Sequence, residues 1–105
     1  MRFIQPRRRG LSSCTAAAQF AARAREPRSG RVLEIYTTQP GLQLYTGNQL
    51  NGSVAGRGGI YRQSAGLAFE PQGYPDAENR PQFPSNVTYP DRPYSASIGY
   101  RFRAE

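Results

Sequence analysis

The pattern of apolar and polar positions is clearest near the end of the chain. Between Tyr94 and Arg103, apolar or aromatic residues alternate with small or charged ones. A period of two is typical of an antiparallel strand with one buried face. We therefore predict a half-buried strand over residues 94–103.

Shorter strands are predicted upstream. Residues 32–38 are rich in β-branched and aromatic side chains and stop at the turn sequence Gln39-Pro40-Gly41. In residues 42–46 the leucines occupy one face and Gln43 lies on the other. Three more short runs read as strands: 60–62, 66–70 and 87–89.

The spacing of these runs predicts the fold class. After Leu33 the apolar positions show no helical period. Short strands separated by turns at intervals of about 8–12 residues favour a sandwich or a barrel. We expect an all-β fold.

Glu70 is the first candidate functional residue. The apolar run 67–69 leads to it, and Pro71 follows directly. Because proline cannot donate a ladder hydrogen bond, we expect the strand to stop at Glu70. The prolines, Asp76 and Asn79 of residues 71–85 predict a fixed irregular loop, and loops of this kind beside strand ends often carry sites.

Charge divides the chain near residue 30. Residues 1–31 contain eight Arg and one Glu and carry the whole net charge of +7, while residues 32–105 are neutral. We predict an Arg/Ala-rich head at 1–30, unrelated to the rest or disordered, followed by a patterned region at 31–105.

The head allows several interpretations. Its alanines favour a helix over about residues 12–25. An export signal, a helix that binds nucleic acid, a solvated charged tail and an unrelated or disordered segment remain open, and we prefer the last. No nucleic-acid partner is expected, because no base-stacking aromatic residue stands beside the arginine cluster at residues 7–9.

Composition excludes several chemistries. The chain has one Cys, Cys14, and no His, so neither an intrachain disulfide nor a protein-only zinc site is expected. We predict no metal and no cofactor. No apolar run approaches the roughly 20 residues that a membrane span needs, so we expect no membrane partner and a cytoplasmic protein, or an exported one if the head is a signal.

Three separated motifs resemble the aldose 1-epimerase (galactose mutarotase) family. They are VLEIYTTQPGLQLYTGN, GRGGIYRQSAGLAFE and EPQGYPDAENRPQFPS. The resemblance covers about residues 31–103, with the head outside it. It implies the C-terminal part of that family's large antiparallel β-sandwich, whose complete domain is several times longer.

The resemblance also implies roles for individual residues. Glu70 stands where the family has its general base, and Gln43 stands where a glutamine contacts sugar hydroxyls. Pro75, Asp76 and Asn79 match a loop that shapes the site. The implied activity is interconversion of the α and β anomers of a hexose such as galactose or glucose.

The resemblance is incomplete in one chemical respect. The family's acid is a histidine that lies upstream of the matched motifs, and this chain has no His. We therefore expect the isolated chain to be inactive. The alternative is a non-catalytic carbohydrate-binding module.

Overall fold

The computed structural model describes residues 17–105. In these residues every strand pair is antiparallel, and the one helical element is a short 3₁₀ turn at Ala77–Asn79. The all-β prediction is confirmed. The strands in chain order are β1 Gln19–Arg25, β2 Arg31–Thr37, β3 Gly41–Tyr45, β4 Val54–Gly56, β5 Gly59–Tyr61, β6 Ala68–Gln72 and β7 Ile98–Ala104.

A three-stranded sheet has the order β1-β2-β7. The β-branched run of the sequence forms its central strand, β2. Alternation along β2 gives this sheet two different faces. Leu33 and Ile35 lie on an apolar face with Tyr100 and Phe102, their register partners on β7, while Glu34 lies on the other, charged face.

The apolar face packs against a second sheet, formed by β3 and β6. Ile35 is fully buried and forms a cluster with Ala21, Ala22 and Leu42. Leu33 and Phe69 pack against this cluster. The two sheets are therefore layered around one small core, as in a β-sandwich. The third pair, β4 and β5, forms an exposed hairpin beside them.

The helix predicted over about residues 12–25 is wrong for Gln19–Arg25, which form β1. Alanine and arginine favour helices intrinsically, but pairing with β2 and burial of Ala21 and Ala22 override that weak preference. Residues 12–16 lie outside the described part of the chain. The division at residue 30 stays a prediction, and β1 before it pairs with β2 after it.

Two predictions near the C-terminus are also wrong. Residues 87–89 form no strand, and only an isolated bridge joins Tyr89 to Arg92, because prolines flank this short turn and withhold ladder donors. The last strand begins at Ile98 instead of 94. Its apolar row is exposed, 76% in the case of Phe102, because β3 and β6 cover the part of the sheet around Ile35.

Candidate functional site

Glu70 lies in the middle of a strand. The prediction that its strand stops there is wrong, since β6 runs on to Gln72 and Pro71 pairs with Leu42. Proline is tolerated on an edge strand, where its missing N–H faces away from the ladder, and β6 is an edge strand within residues 17–105. Glu70 is thus held by a paired backbone.

Gln43 lies directly opposite Glu70 in the β3–β6 ladder. Side chains at directly opposed positions project to the same face of a sheet, with Cβ atoms about 4.5–5.5 Å apart. The next residues along each strand, Leu42 and Phe69, project to the other face and join the core. The structure therefore brings both candidate residues to the face that points away from the core.

Gln72 also belongs to this face, two residues beyond Glu70 on β6. Its Nε2 donates a hydrogen bond of 3.4 Å to Oε1 of Gln43. The sequence analysis missed Gln72 because it ended the strand at Glu70. Had the alternation of the strand been continued past Pro71, it would have placed Gln72 on the same face as Glu70.

An aromatic pair closes one end of this face. A Cβ atom added at Gly41 would lie 3.1 Å from Cδ1 of Tyr74, so the ring rests directly on the glycine. Tyr74 in turn packs against Phe83, with ring centroids 4.9 Å apart. The Tyr74 ring therefore lies at the Gly41 end of the face that carries Gln43 and Gln72.

The loop after β6 is braced by Asp76. Its Oδ1 accepts a hydrogen bond of 2.6 Å from Nδ2 of Asn79, and its Oδ2 accepts one of 3.1 Å from Nε of Arg80. Asp76 also has a positive φ of 61°, a conformation that aspartate tolerates better than most residues. These contacts fit the predicted loop-shaping role of Asp76 and Asn79.

A second carboxylate, Glu34, is buried on the charged face of the three-stranded sheet. Arg103 donates a hydrogen bond to it, the Tyr36 hydroxyl donates one of 3.1 Å, and Nη1 of Arg101 lies 3.7 Å away. The hydrogen bond from Arg103 is the main reason that the pKa of Glu34 lies below its ordinary value, and burial opposes this shift. With its oxygens bound within the sheet, Glu34 serves the fold.

Residues 17–105 contain no group of three or more His, Cys, Asp or Glu side chains arranged to hold a metal ion. In the same range no helix has the length and apolarity to cross a membrane.

The sequence profile described as Aldose 1-epimerase matches residues 4–101. The chain belongs to the aldose 1-epimerase family. It is 46% identical over 85 residues to galactose mutarotase of Mus musculus, which covers 80% of this chain. It is 45% identical over 84 residues to galactose mutarotase of Homo sapiens, and 39% identical over 75 residues to aldose 1-epimerase of Escherichia coli.

These relatives of the aldose 1-epimerase family are much longer than this chain. The match covers 25% of the mouse and human proteins and 22% of the bacterial one, so the chain spans about a quarter of the length of the curated relatives it matches. The family match begins at residue 4. Our expectation that the head lies outside the resemblance is therefore wrong for most of the head.

Proposed function

We propose that this chain contributes the base of an aldose 1-epimerase site, with Glu70 as general base and Gln43 as a sugar-binding residue. One observation carries the proposal: the two side chains lie opposite each other on the sheet face that points away from the core. Family membership supplies the reaction class.

The residue types suit the reaction. A carboxylate at Glu70 takes the proton from the anomeric hydroxyl, the bond between the anomeric carbon and the ring oxygen breaks, and the ring oxygen gains a proton from an acid. The anomeric carbon becomes a carbonyl, rotates, and is attacked on its other face by the hydroxyl that ring opening formed, whose proton goes back to the acid. Glu70 returns its proton to the former carbonyl oxygen, so both groups are unchanged at the end of the cycle.

Gln43 suits the binding role because an amide offers two donors and an acceptor to hydroxyl groups. The ring of Tyr74, resting on Gly41 at the end of the same face, provides an apolar surface beside these polar groups. Galactose is the first sugar to test, since the mouse and human relatives are named galactose mutarotase.

The acid of the reaction comes from outside this chain. The sequence contains no His, and loss of a general acid or base typically costs about 10²- to 10⁴-fold in rate. The exposed apolar row of β7, formed by Ile98, Tyr100 and Phe102, is where the remaining part of a sandwich would pack. The isolated chain is accordingly inactive and gains activity when the upstream part of the fold is supplied.

A second candidate function is carbohydrate binding without turnover. It is favoured by the same face, which combines the amides of Gln43 and Gln72 with the Tyr74 ring in a chain that has no His. Sugar binding by the isolated chain fits both functions, whereas accelerated anomer exchange fits only the first.

The test is polarimetry of freshly dissolved α-D-galactose. The chain is assayed alone and co-expressed with the part of mouse galactose mutarotase that precedes the matched region, and that part alone is the control. We expect acceleration over buffer only from the combination. Binding of galactose with no acceleration from the combination would favour the second function, and neither binding nor acceleration would reject both.

A further inference from the structure

The site face of β3 and β6 carries a line of hydrogen-bonding groups. Glu70 is opposite Gln43, and Gln72 is opposite Gly41, which places Gln72 diagonally across from Gln43. Diagonal neighbours on one face of an antiparallel pair are within reach of long side chains. Nε2 of Gln72 accordingly donates a hydrogen bond of 3.4 Å to Oε1 of Gln43 across this diagonal.

Each amide has one oxygen that accepts and one nitrogen that donates two protons. When two amides face each other, the oxygen of one therefore accepts from the nitrogen of the other. Two orientations are possible: Gln72 donates to Gln43, or Gln43 donates to Gln72. The neighbour on the other side of Gln43 is Glu70, its direct partner across the ladder. Carboxylate oxygens accept hydrogen bonds, so Glu70 favours the orientation in which the Gln43 nitrogen faces it.

The bond from Gln72 selects the same orientation. With Oε1 of Gln43 accepting from Gln72, the Nε2 group keeps both protons for other acceptors. A sugar hydroxyl oxygen beside the anomeric centre is such an acceptor. Both side chains are half-buried, so water competes less for this bond than it does on an open surface.

We propose that Gln72 is a positioning residue, which turns the amide of Gln43 so that its N–H groups face the sugar hydroxyls next to Glu70. The inference rests on the proposed sugar-binding role of Gln43. It adds that Gln43 donates the hydrogen bond to the sugar hydroxyl, and that Gln72 on the neighbouring strand fixes the amide in this orientation.

The test uses the full chain and side-chain amide NMR. Gln72→Met removes both the donor and the acceptor at nearly constant length. Gln63→Met is the matched control, because Gln63 also donates an amide hydrogen bond of 3.4 Å, to the backbone oxygen of Asn48. We expect Gln72→Met to shift the Nε2 and Hε2 signals of Gln43 in sugar-free solution while the backbone amides of β3 and β6 stay in place. Gln63→Met is expected to leave the Gln43 signals unchanged.

Titration with D-galactose gives the second readout. One lost hydrogen bond is worth about 1 kcal/mol, so the dissociation constant is expected to rise about fivefold in Gln72→Met. Unshifted Gln43 signals, or an unchanged dissociation constant, would overturn the proposal. If neither the unaltered chain nor its assembly with the upstream mouse segment binds galactose, the proposed sugar-binding role of Gln43 fails, and the sugar-free spectra still decide whether Gln72 orients Gln43.

Discussion

Gln43 and Glu70 are direct partners in the antiparallel ladder of β3 and β6. The residues next to them, Leu42 and Phe69, project to the opposite face and pack into the core around Ile35. The same two strands thus carry the core on one side and the candidate site on the other. Substitutions of the Gln43 and Glu70 side chains therefore leave the contacts of this core in place.

Ile35 is the best place to test the core. It is fully buried, so Ile35→Val leaves a small cavity and is expected to lower the free energy of unfolding by about 0.5–1.5 kcal/mol. Urea unfolding followed by circular dichroism measures the change. Ile60→Val is the control, since Ile60 is 56% exposed. Equal effects of the two substitutions would contradict the assignment of the core.

Gly41 tests the contact between the site face and Tyr74. A Cβ atom there would lie 3.1 Å from the ring and 3.2 Å from the backbone oxygen of Gln72. Gly41→Ala is expected to displace the ring and to lower the free energy of unfolding by about 1–3 kcal/mol. The Tyr74 ring signals in NMR and urea unfolding are the two measurements.

The matched control for this change is Gly58→Ala, where a Cβ atom would have no neighbour within 4 Å. Both substitutions restrict the unfolded chain in the same way. Unmoved ring signals, or equal stability of the two variants, would show that Tyr74 does not rest on Gly41.

Glu34 gives the protein a defined response to acid. Its pKa is lowered in the folded chain, first by the hydrogen bond from Arg103 and also by the Tyr36 hydroxyl and nearby Arg charges. A lowered pKa stabilises the fold at pH values above the ordinary value of 4.5. That stabilisation is lost as the pH falls through the folded-state pKa.

We therefore expect Glu34→Gln to make the free energy of unfolding less dependent on pH below 4.5. Urea unfolding at a series of pH values tests this. Glu78→Gln, at an exposed position in the 3₁₀ turn, should keep the steep dependence. A Glu34→Gln profile parallel to that of the unaltered chain would refute the role of Glu34.

The apolar row of β7 predicts self-association. In the part of the chain that the structure describes, β7 is an edge strand and its Phe102 is 76% exposed, a combination that favours contacts between copies. Phe102→Ser is expected to reduce the sedimentation-equilibrium mass of the isolated chain at high concentration, with little change in unfolding. Val87→Ser, in an exposed loop, is the control. A mass that is the same for all three proteins at every concentration would contradict this prediction.

Local pattern was sufficient for β2 and β3, whereas it ended β6 too early, at Glu70. The β-branched run of β2 and the leucine alternation of β3 follow from side-chain shape and a period of two. Glu70 and Gln43 were identified as candidates through the motifs that contain them. That they lie opposite each other follows from the register of β3 and β6. Pairing between distant segments is not encoded in either strand alone.

The remaining features depend on partners that are far away in sequence. β1 is a strand because β2 pairs with it, despite alanines that favour helix. Pro71 stays inside β6 because one edge of this strand is unpaired within residues 17–105. The Glu34 carboxylate is bound by arginines more than sixty residues away, so no short motif around it could show its environment.

The central claim is that Glu70 is the base, and Glu70→Gln tests it most directly. The variant is compared with the unaltered chain in the polarimetric assay with the upstream mouse segment, and Glu78→Gln controls for the loss of one carboxylate. We predict a fall of about 10²- to 10⁴-fold in the galactose mutarotation rate for Glu70→Gln alone. A Glu70→Gln assembly as fast as the unaltered one would contradict the account.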